Sequence, residues 1–410
     1  VMPVFKKGFP LFDKITRIVE ENVKGIRVVK SFVREDYEIN KFDETSNDIR
    51  KMFTCAEQII ALNNPLMQIS IYAVMLFVLM FGSEMIIKTN ATSLDVGQLS
   101  TLMTYGFQIM VSLMMLSMVF VMITFSEESC KRIVEVLNEK SSITSKENAI
   151  TEVKDGSIDF DHVCFKYSPT AERPVLDNID VHIKSGETIG IIGGTGSAKS
   201  SFVQLIPRLY DATEGTVRVG KEDVRDYDLV TLRDSVAMVL QKNVLFSGTI
   251  ADNIRWGNKD ATLEEVKHVC HLACADEFIE QMPDGYDTWI EQGGTNVSGG
   301  QKQRLCIARA LLKQPKILIM DDSTSAVDTK TDAMIRKAMI EYIPETTKII
   351  IAQRTSSVED ADRIIVLDGG KIDAIGTSEE LLKTNQIYRE VYLSQNKQGT
   401  EEIVEEGGVR

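Results

Sequence analysis

Residues 188–201 read Thr-Ile-Gly-Ile-Ile-Gly-Gly-Thr-Gly-Ser-Ala-Lys-Ser-Ser: a short apolar strand, Thr188 to Ile192, then a glycine-rich loop running into a helical stretch. A turn of this composition lets backbone N–H groups converge on phosphate oxygens, and the helix behind it presents its positive end. Gly193, Gly194, Thr195, Gly196, Ser197, Ala198, Lys199, Ser200 and Ser201 therefore form a candidate nucleotide cradle, with Lys199 neutralising phosphate charge and Ser200 reaching a Mg²⁺ ion. One position departs from the pattern. Ala198 stands where such loops have their last glycine, so its methyl either crowds the phosphate or restricts the backbone, or else sits in a helical conformation without strain.

Downstream, Ile317 to Asp321 is an apolar strand ending in a carboxylate, the arrangement by which a phosphate-loop enzyme holds the Mg²⁺ that its Ser or Thr also touches. Asp321 is the expected magnesium residue, and Asp322 stands where a carboxylate would orient or activate the attacking water. Ser298-Gly299-Gly300-Gln301 is a second turn opening a helix, hence a second phosphate-binding end. Two such ends cannot easily face one γ-phosphate, which points to a head-to-tail dimer in which each chain's Ser298 turn closes on the other's loop. Short apolar runs at Thr188–Ile192, Lys316–Met320, Lys348–Ala352 and Arg363–Leu367 suit a buried parallel sheet. Helical stretches at Leu263–Met282 and Ser298–Leu312 complete an α/β nucleotide-binding domain with a helical insertion.

The amino-terminal third is different in kind. Leu66–Ile87 and Leu99–Phe125 are each long enough to cross a hydrocarbon core of roughly 30 Å, and together they hold one formal charge, Glu84. The loop Lys88–Gly97 carries a single Lys, whereas residues 1 to 60 carry eleven Lys and Arg; the positive-inside bias puts the loop outside and the nucleotide domain in the cytoplasm. Gln108, a polar group in the middle of the second span, is expected to face a substrate pathway. Six cysteines without a paired framework read as reduced thiols, and His268, Cys270, His271 and Cys274 lack metal-finger spacing. Asn90-Ala91-Thr92 matches a glycan acceptor, a triplet that recurs by chance. A net charge of −14, with an acidic tail at 396–410, argues against nucleic acid as a partner.

On these motifs the chain resembles the ATP-binding cassette (ABC) exporters, over nearly its whole length. The resemblance implies a multidomain protein: all-α transmembrane helices of the type I/type IV exporter fold with their amino-terminal part missing, then an α/β phosphate-loop domain with a helical subdomain. It places the end of the fourth transmembrane helix, a coupling helix at about 31–38, the fifth span at about 39–88 and the sixth at about 97–138 within residues 1–138. A linker at 139–156, the nucleotide-binding domain at 157–395, with its helical subdomain at about 242–312, and the tail follow. Tyr167 would stack on adenine, Gln241 would link Mg²⁺ to the membrane domain, Ser298, Gly299, Gly300 and Gln301 would be the signature motif facing a partner's ATP, and Asp328 would belong to the D-loop. Glu291 sits where exporters have an X-loop.

Two departures qualify the resemblance. The family's catalytic Glu is Asp322 here, one methylene shorter, and its switch His is Gln353. With Ala198, these remove reach from the base and a titratable imidazole from the γ-phosphate, while Lys199, Ser200 and Asp321 remain to bind ATP and Mg²⁺. The combination resembles the degenerate subunit of bacterial heterodimeric multidrug exporters, a multi-pass plasma-membrane ATPase half that pairs with a second half-transporter, contacts lipid and moves lipophilic small molecules. The rivals are a symmetric slow exporter or lipid flippase, and a nucleotide-sensing subunit that moves no cargo.

Overall fold

The computed structural model describes residues 2–90, 92–322 and 327–395. The expected acidic tail, Ala91 of the Asn-Ala-Thr triplet, and Ser325 and Ala326 of the expected D-loop lie outside the described residues. The chain divides into two compact units, Val1–Lys140 and Ser141–Arg410.

Four helices make the first unit: α1 (Met2–Ser31), α2 (Glu35–Ala61), α3 (Asn63–Thr89) and α4 (Val96–Asn138). Apolar windows within Glu35–Thr89 and Val96–Phe120 are long enough to span a membrane, and neither is buried among the described residues. Small buried groups, Thr45 and Ala56, let α2 approach α1, where Ile18 is also buried. Phe12 meets Phe53 edge-on at 5.6 Å, and Asn22 Nδ2 donates to Glu38 at 2.9 Å. Arg132 on α4 holds Asp13 on α1 through two guanidinium bonds, 3.1 and 3.2 Å. A Cβ on Gly82 would lie 2.4 Å from Leu99 Cδ1, so glycine sets the closeness of α3 to α4 there. Asp95 caps α4 in a reciprocal box with Gln98.

Two sequence expectations change here. No separate helix spans 31–38: Ser31 ends α1, Val33 takes a left-handed φ of 51°, and Glu35 begins α2, so the segment is a tight reversal between long helices. The span expected as one helix from 39 to 88 is two, joined at Leu62, which itself keeps helical torsions (φ −66°, ψ −21°). Pro65 falls in the first turn of α3, where a missing N–H leaves no intrahelical bond unmade, so Asn63-Asn64-Pro65 makes a seam and not a stop.

In the second unit a six-stranded sheet runs, in spatial order, Lys371–Gly376, Arg363–Asp368, Thr188–Ile192, Thr347–Ile351, Ile317–Asp321 and Val236–Val239. Every neighbouring pair is parallel except the first. The Ile-rich central strands are buried on both faces, as a parallel sheet covered on both sides requires. A second, antiparallel sheet of Leu176–Ile183, Ile158–Phe165, Glu214–Val219 and Glu222–Asp223 packs beside it, with Phe160 stacked on Phe202 at 4.2 Å. Helices Ile250–Arg255, Leu263–Leu272, Asp276–Ile279 and Gly299–Leu312 form the inserted helical layer. The run expected as one helix from 263 to 282 breaks at Cys274, φ 52°.

The stretch expected as a linker at 139–156 is no free tether from residue 144 onward. Ile150 exchanges backbone bonds with Asp226 (2.8 Å) and Asp228 (2.9 Å), Val153 is buried, and Arg208 reaches the Thr144 carbonyl. Its polar composition hid a single bridge and a single apolar anchor, too short to show a period.

Candidate functional site

Successive parallel strands end at one level: Ile351 pairs with Asp321 on one side and Ile191 on the other. Whatever follows their carboxyl ends therefore meets at one edge, the usual place for a ligand in an open α/β sheet. There a cleft of about 400 Å³ is lined by Gly193 to Ser201, Gln241, Asp321, Asp322, Gln353 and Val391, among others. Residues from four strands, named separately along the sequence, are thus brought together.

The loop after Ile192 is shaped by its glycines. A Cβ on Gly193 would sit 2.1 Å from the Leu367 carbonyl oxygen, and Gly196 has φ +83°. Ala198 also lies in the left-handed region, φ 69° and ψ 20°, which decides between the two expectations for it: the position demands the conformation glycine tolerates, and alanine holds it under strain. Lys199 Nζ donates to the carbonyls of Gly193 (2.7 Å) and Gly194 (2.8 Å) and to Ser197 Oγ (3.2 Å). Burial lowers the Lys199 pKa, and the Asp321 and Asp322 carboxylates partly offset the shift. The ammonium is thus folded onto three neutral oxygens, and an anion entering the loop gives it a stronger partner.

Asp321 is buried, and that burial raises its pKa against the Ser200 hydroxyl bond and the Lys199 charge. A buried carboxylate bonded to a hydroxyl is a hard-oxygen pair suited to Mg²⁺, so the residues present fit that ion. Asp322 takes φ 47°, and its amide donates to the Ile351 carbonyl at 2.9 Å. Its Oδ2 accepts from Gln353 Nε2 at 2.8 Å and from Gln241 Nε2 at 3.3 Å. Burial raises its pKa foremost; Asp321 adds to the rise, and Gln241, Lys199 and Gln353 oppose it.

Tyr167 stands exposed beside the loop, its hydroxyl 2.9 Å from Ser201 Oγ and its ring edge-on to Phe165 and Tyr210. Ser298 caps the helix Gly299–Leu312: Gln301 N–H donates to Ser298 Oγ at 3.3 Å and Ser298 N–H to Gln301 Oε1 at 2.9 Å. That turn is exposed at Ser298 and Gly299 and does not line the Lys199 cleft. Asp328 caps the helix Thr329–Tyr342 through the Thr331 amide at 3.0 Å, a bond that lowers its pKa. Gln108 lies exposed mid-way along the apolar span Val96–Phe120, in the first third of α4, its carbonyl accepting from Ser112 Oγ. Glu291 accepts from Thr295 Oγ1 at 2.6 Å.

The histidine–cysteine segment disperses. Cys270 is buried, its thiol pushed up to about 12 by burial, His271 bonds Asp276 at 2.6 Å, and His268 lies edge-on to Tyr342. Three contributors escaped the sequence reading. Gln303 donates to the Asp322 carbonyl at 3.4 Å, Val391 lines the cleft, and Gln395 bonds Gln353 and Thr355. The signal for the last two was the spacing of Tyr388, Val391 and Gln395, which share one helical face.

Residues 4–126 match the family of ABC transporter transmembrane regions and residues 176–325 the ABC transporter family. The chain is 36% identical over 406 residues to an uncharacterised ABC transporter ATP-binding protein, YfiB, of Bacillus subtilis (strain 168), a match covering 97% of this chain and 70% of that one. It is 34% identical to an ATP-dependent lipid A-core flippase of Desulfotalea psychrophila (strain LSv54 / DSM 12343), over 93% of this chain and 66% of that protein. Among solved structures, a bacterial Atm1-family ABC exporter with ATP bound is similar at a TM-score of 0.85 and 28% identity, covering 96% of this chain and 70% of that one. The chain thus spans about two thirds to seven tenths of the length of these relatives.

Proposed function

The chain belongs to the ABC transporters, as an exporter half in which a transmembrane region precedes an ATPase domain coupled to transport; from that premise we propose that it is the degenerate-site half of a heterodimeric exporter of lipophilic compounds. Its own cleft binds ATP and turns it over slowly, and its Ser298 turn completes the hydrolytic site of a partner half. The observation that carries the reading is the carboxylate of Asp322. Short by a methylene, it is tied at one oxygen to two amides, Gln241 and Gln353. Neither amide can take or release a proton at physiological pH, so Gln353 can orient Asp322 but cannot supply the titratable group that a histidine would.

The remaining residues have binding roles. Lys199 and the loop amides hold the β- and γ-phosphates, Tyr167 stacks on the base, and Ser200, Gln241 and Asp321 would hold Mg²⁺, which would supply positive charge against the phosphates. The exposed Ser298 turn, apart from the chain's own cleft, supports use against a second chain. ATP clamps two such domains together because it binds the closed state better than the open one, and the membrane helices follow. In this scheme Gln108 faces the substrate path.

The test restores what is missing. In the purified complex, Asp322→Glu with Gln353→His raises ATP turnover at this chain's cleft about tenfold or more, the scale of rate recovered by correcting a sub-ångström misplacement. No gain from the double variant rejects the degenerate-site role. A second reading, a symmetric lipid flippase, draws support from the similarity to the lipid A-core flippase. Brisk ATP hydrolysis by this chain paired only with itself would favour that alternative.

A further inference from the structure

We propose that Gln395 is a positioning residue of the nucleotide cleft: from the end of the C-terminal helix it sets the loop carrying Gln353, and so governs how long the cleft retains its nucleotide. The proposal rests on the reading of the Lys199 cleft as an ATP site. The helix Gln386–Gln395 is anchored by Tyr388, which is fully buried. Its phenol is 2.9 Å from Ser378 Oγ, and its amide donates to Asn385 Oδ1 at 2.8 Å. Spacings of three and four carry the same face onward to Val391, at the cleft wall, and then to Gln395.

Gln395 uses both ends of its amide. Oε1 accepts from the Thr355 backbone N–H at 2.9 Å and from its hydroxyl at 3.2 Å, while Nε2 donates to the Gln353 carbonyl at 2.8 Å. One side chain therefore holds both ends of the segment Gln353–Thr355 from behind, while the Gln353 side chain reaches forward to Asp322. Asparagine is a methylene too short for this span, and glutamate lacks the donor. Without the latch the loop regains backbone freedom that must be lost again when nucleotide is enclosed. The contacts join residues 40 to 42 positions apart, so no local turn substitutes for them.

The experiment loads the full chain, in its membrane complex, with 8-azido-ATP, chases with unlabelled ATP, irradiates at intervals, and reads label on this chain after a denaturing gel. Gln395→Ala is expected to release nucleotide about fivefold to tenfold faster with its loading rate unchanged, the effect of losing a small set of hydrogen bonds. Gln395→Glu, which keeps both acceptor contacts and loses the donor, falls between, and keeps the test available if alanine unfolds the helix. Ser394→Ala, whose hydroxyl bonds the Val391 carbonyl and, among the described residues, nothing at the Gln353–Thr355 segment, releases as the parent does. Parent-like release from both Gln395 variants, in a chain whose loading is abolished by Lys199→Ala, overturns the proposal alone. Equal acceleration by Ser394→Ala overturns it as well. Undiminished loading of Lys199→Ala removes the nucleotide reading beneath it.

Discussion

Single side chains hold this site in conformations that trade stability for chemistry. Ala198 adopts φ 69° in a loop position suited to glycine. Relief of that strain, less the extra chain entropy glycine loses on folding, amounts to about 0.5–1 kcal/mol. Ala198→Gly should therefore raise the melting temperature of the nucleotide unit, at roughly 2–4 °C per kcal/mol, and tighten ATP binding; an unchanged or lower melting point contradicts the strain. Asp321 makes a second trade. Its raised pKa means the folded state binds the proton more tightly than the unfolded chain, so its contribution to stability is fully present below pH about 4 and is lost as pH rises through the folded pKa. Asp321→Asn should accordingly stabilise the nucleotide-free protein at neutral pH and abolish Mg²⁺-dependent ATP binding. Melting curves against pH check the sign, since the variant's advantage must shrink towards pH 4.

Among elements, the helix Gly299–Leu312 has two unlike parts: its core face packs inside its own domain, and its capped start is exposed, which under the proposed function is the part turned to a second chain. Ser298→Ala should cost about 1 kcal/mol of helix stability. It should also lower hydrolysis at the partner's site about tenfold or more while leaving photolabelling at the chain's own Lys199 cleft intact. Parallel labelling and turnover assays separate the two effects. The central strands were legible in the sequence because several short apolar runs occur together; Ile317 to Met320 ending in Asp is a weak signal alone and gains its meaning from that company. The places of Lys199, Asp321 and the Ser298 turn were legible because each belongs to a short local pattern. The reversal at Phe32–Arg34 was not, because its strain sits at Val33, a residue with no turn signature. The docking of Ile150 and the reach of Gln395 were not either, since both depend on segments distant in sequence. Ala198 illustrates the intermediate case: the departure was visible and the torsion that gives it meaning was not.

Taken whole, the molecule is one protein of two solvents. The apolar windows of its membrane unit are exposed among the described residues, whereas the sheets of the second unit bury theirs. The topology is open to direct measurement. With a single cysteine placed by Thr92→Cys in an otherwise cysteine-free chain, a membrane-impermeant maleimide applied to intact cells should label the loop between α3 and α4. Labelling only after lysis would invert the orientation. If the proposed function holds, ATP-dependent accumulation of a lipophilic fluorescent drug in inside-out vesicles should accompany co-expression with a second half-transporter and vanish in Lys199→Ala, and a chain that moves no cargo shows none. The C-terminal helix carries a practical lesson for anyone handling the molecule. Because its last described turn is clipped to the loop bearing Gln353, a fluorescent fusion or protease site inserted directly behind Gln395 should pull on the edge of the sheet that carries the proposed nucleotide cleft.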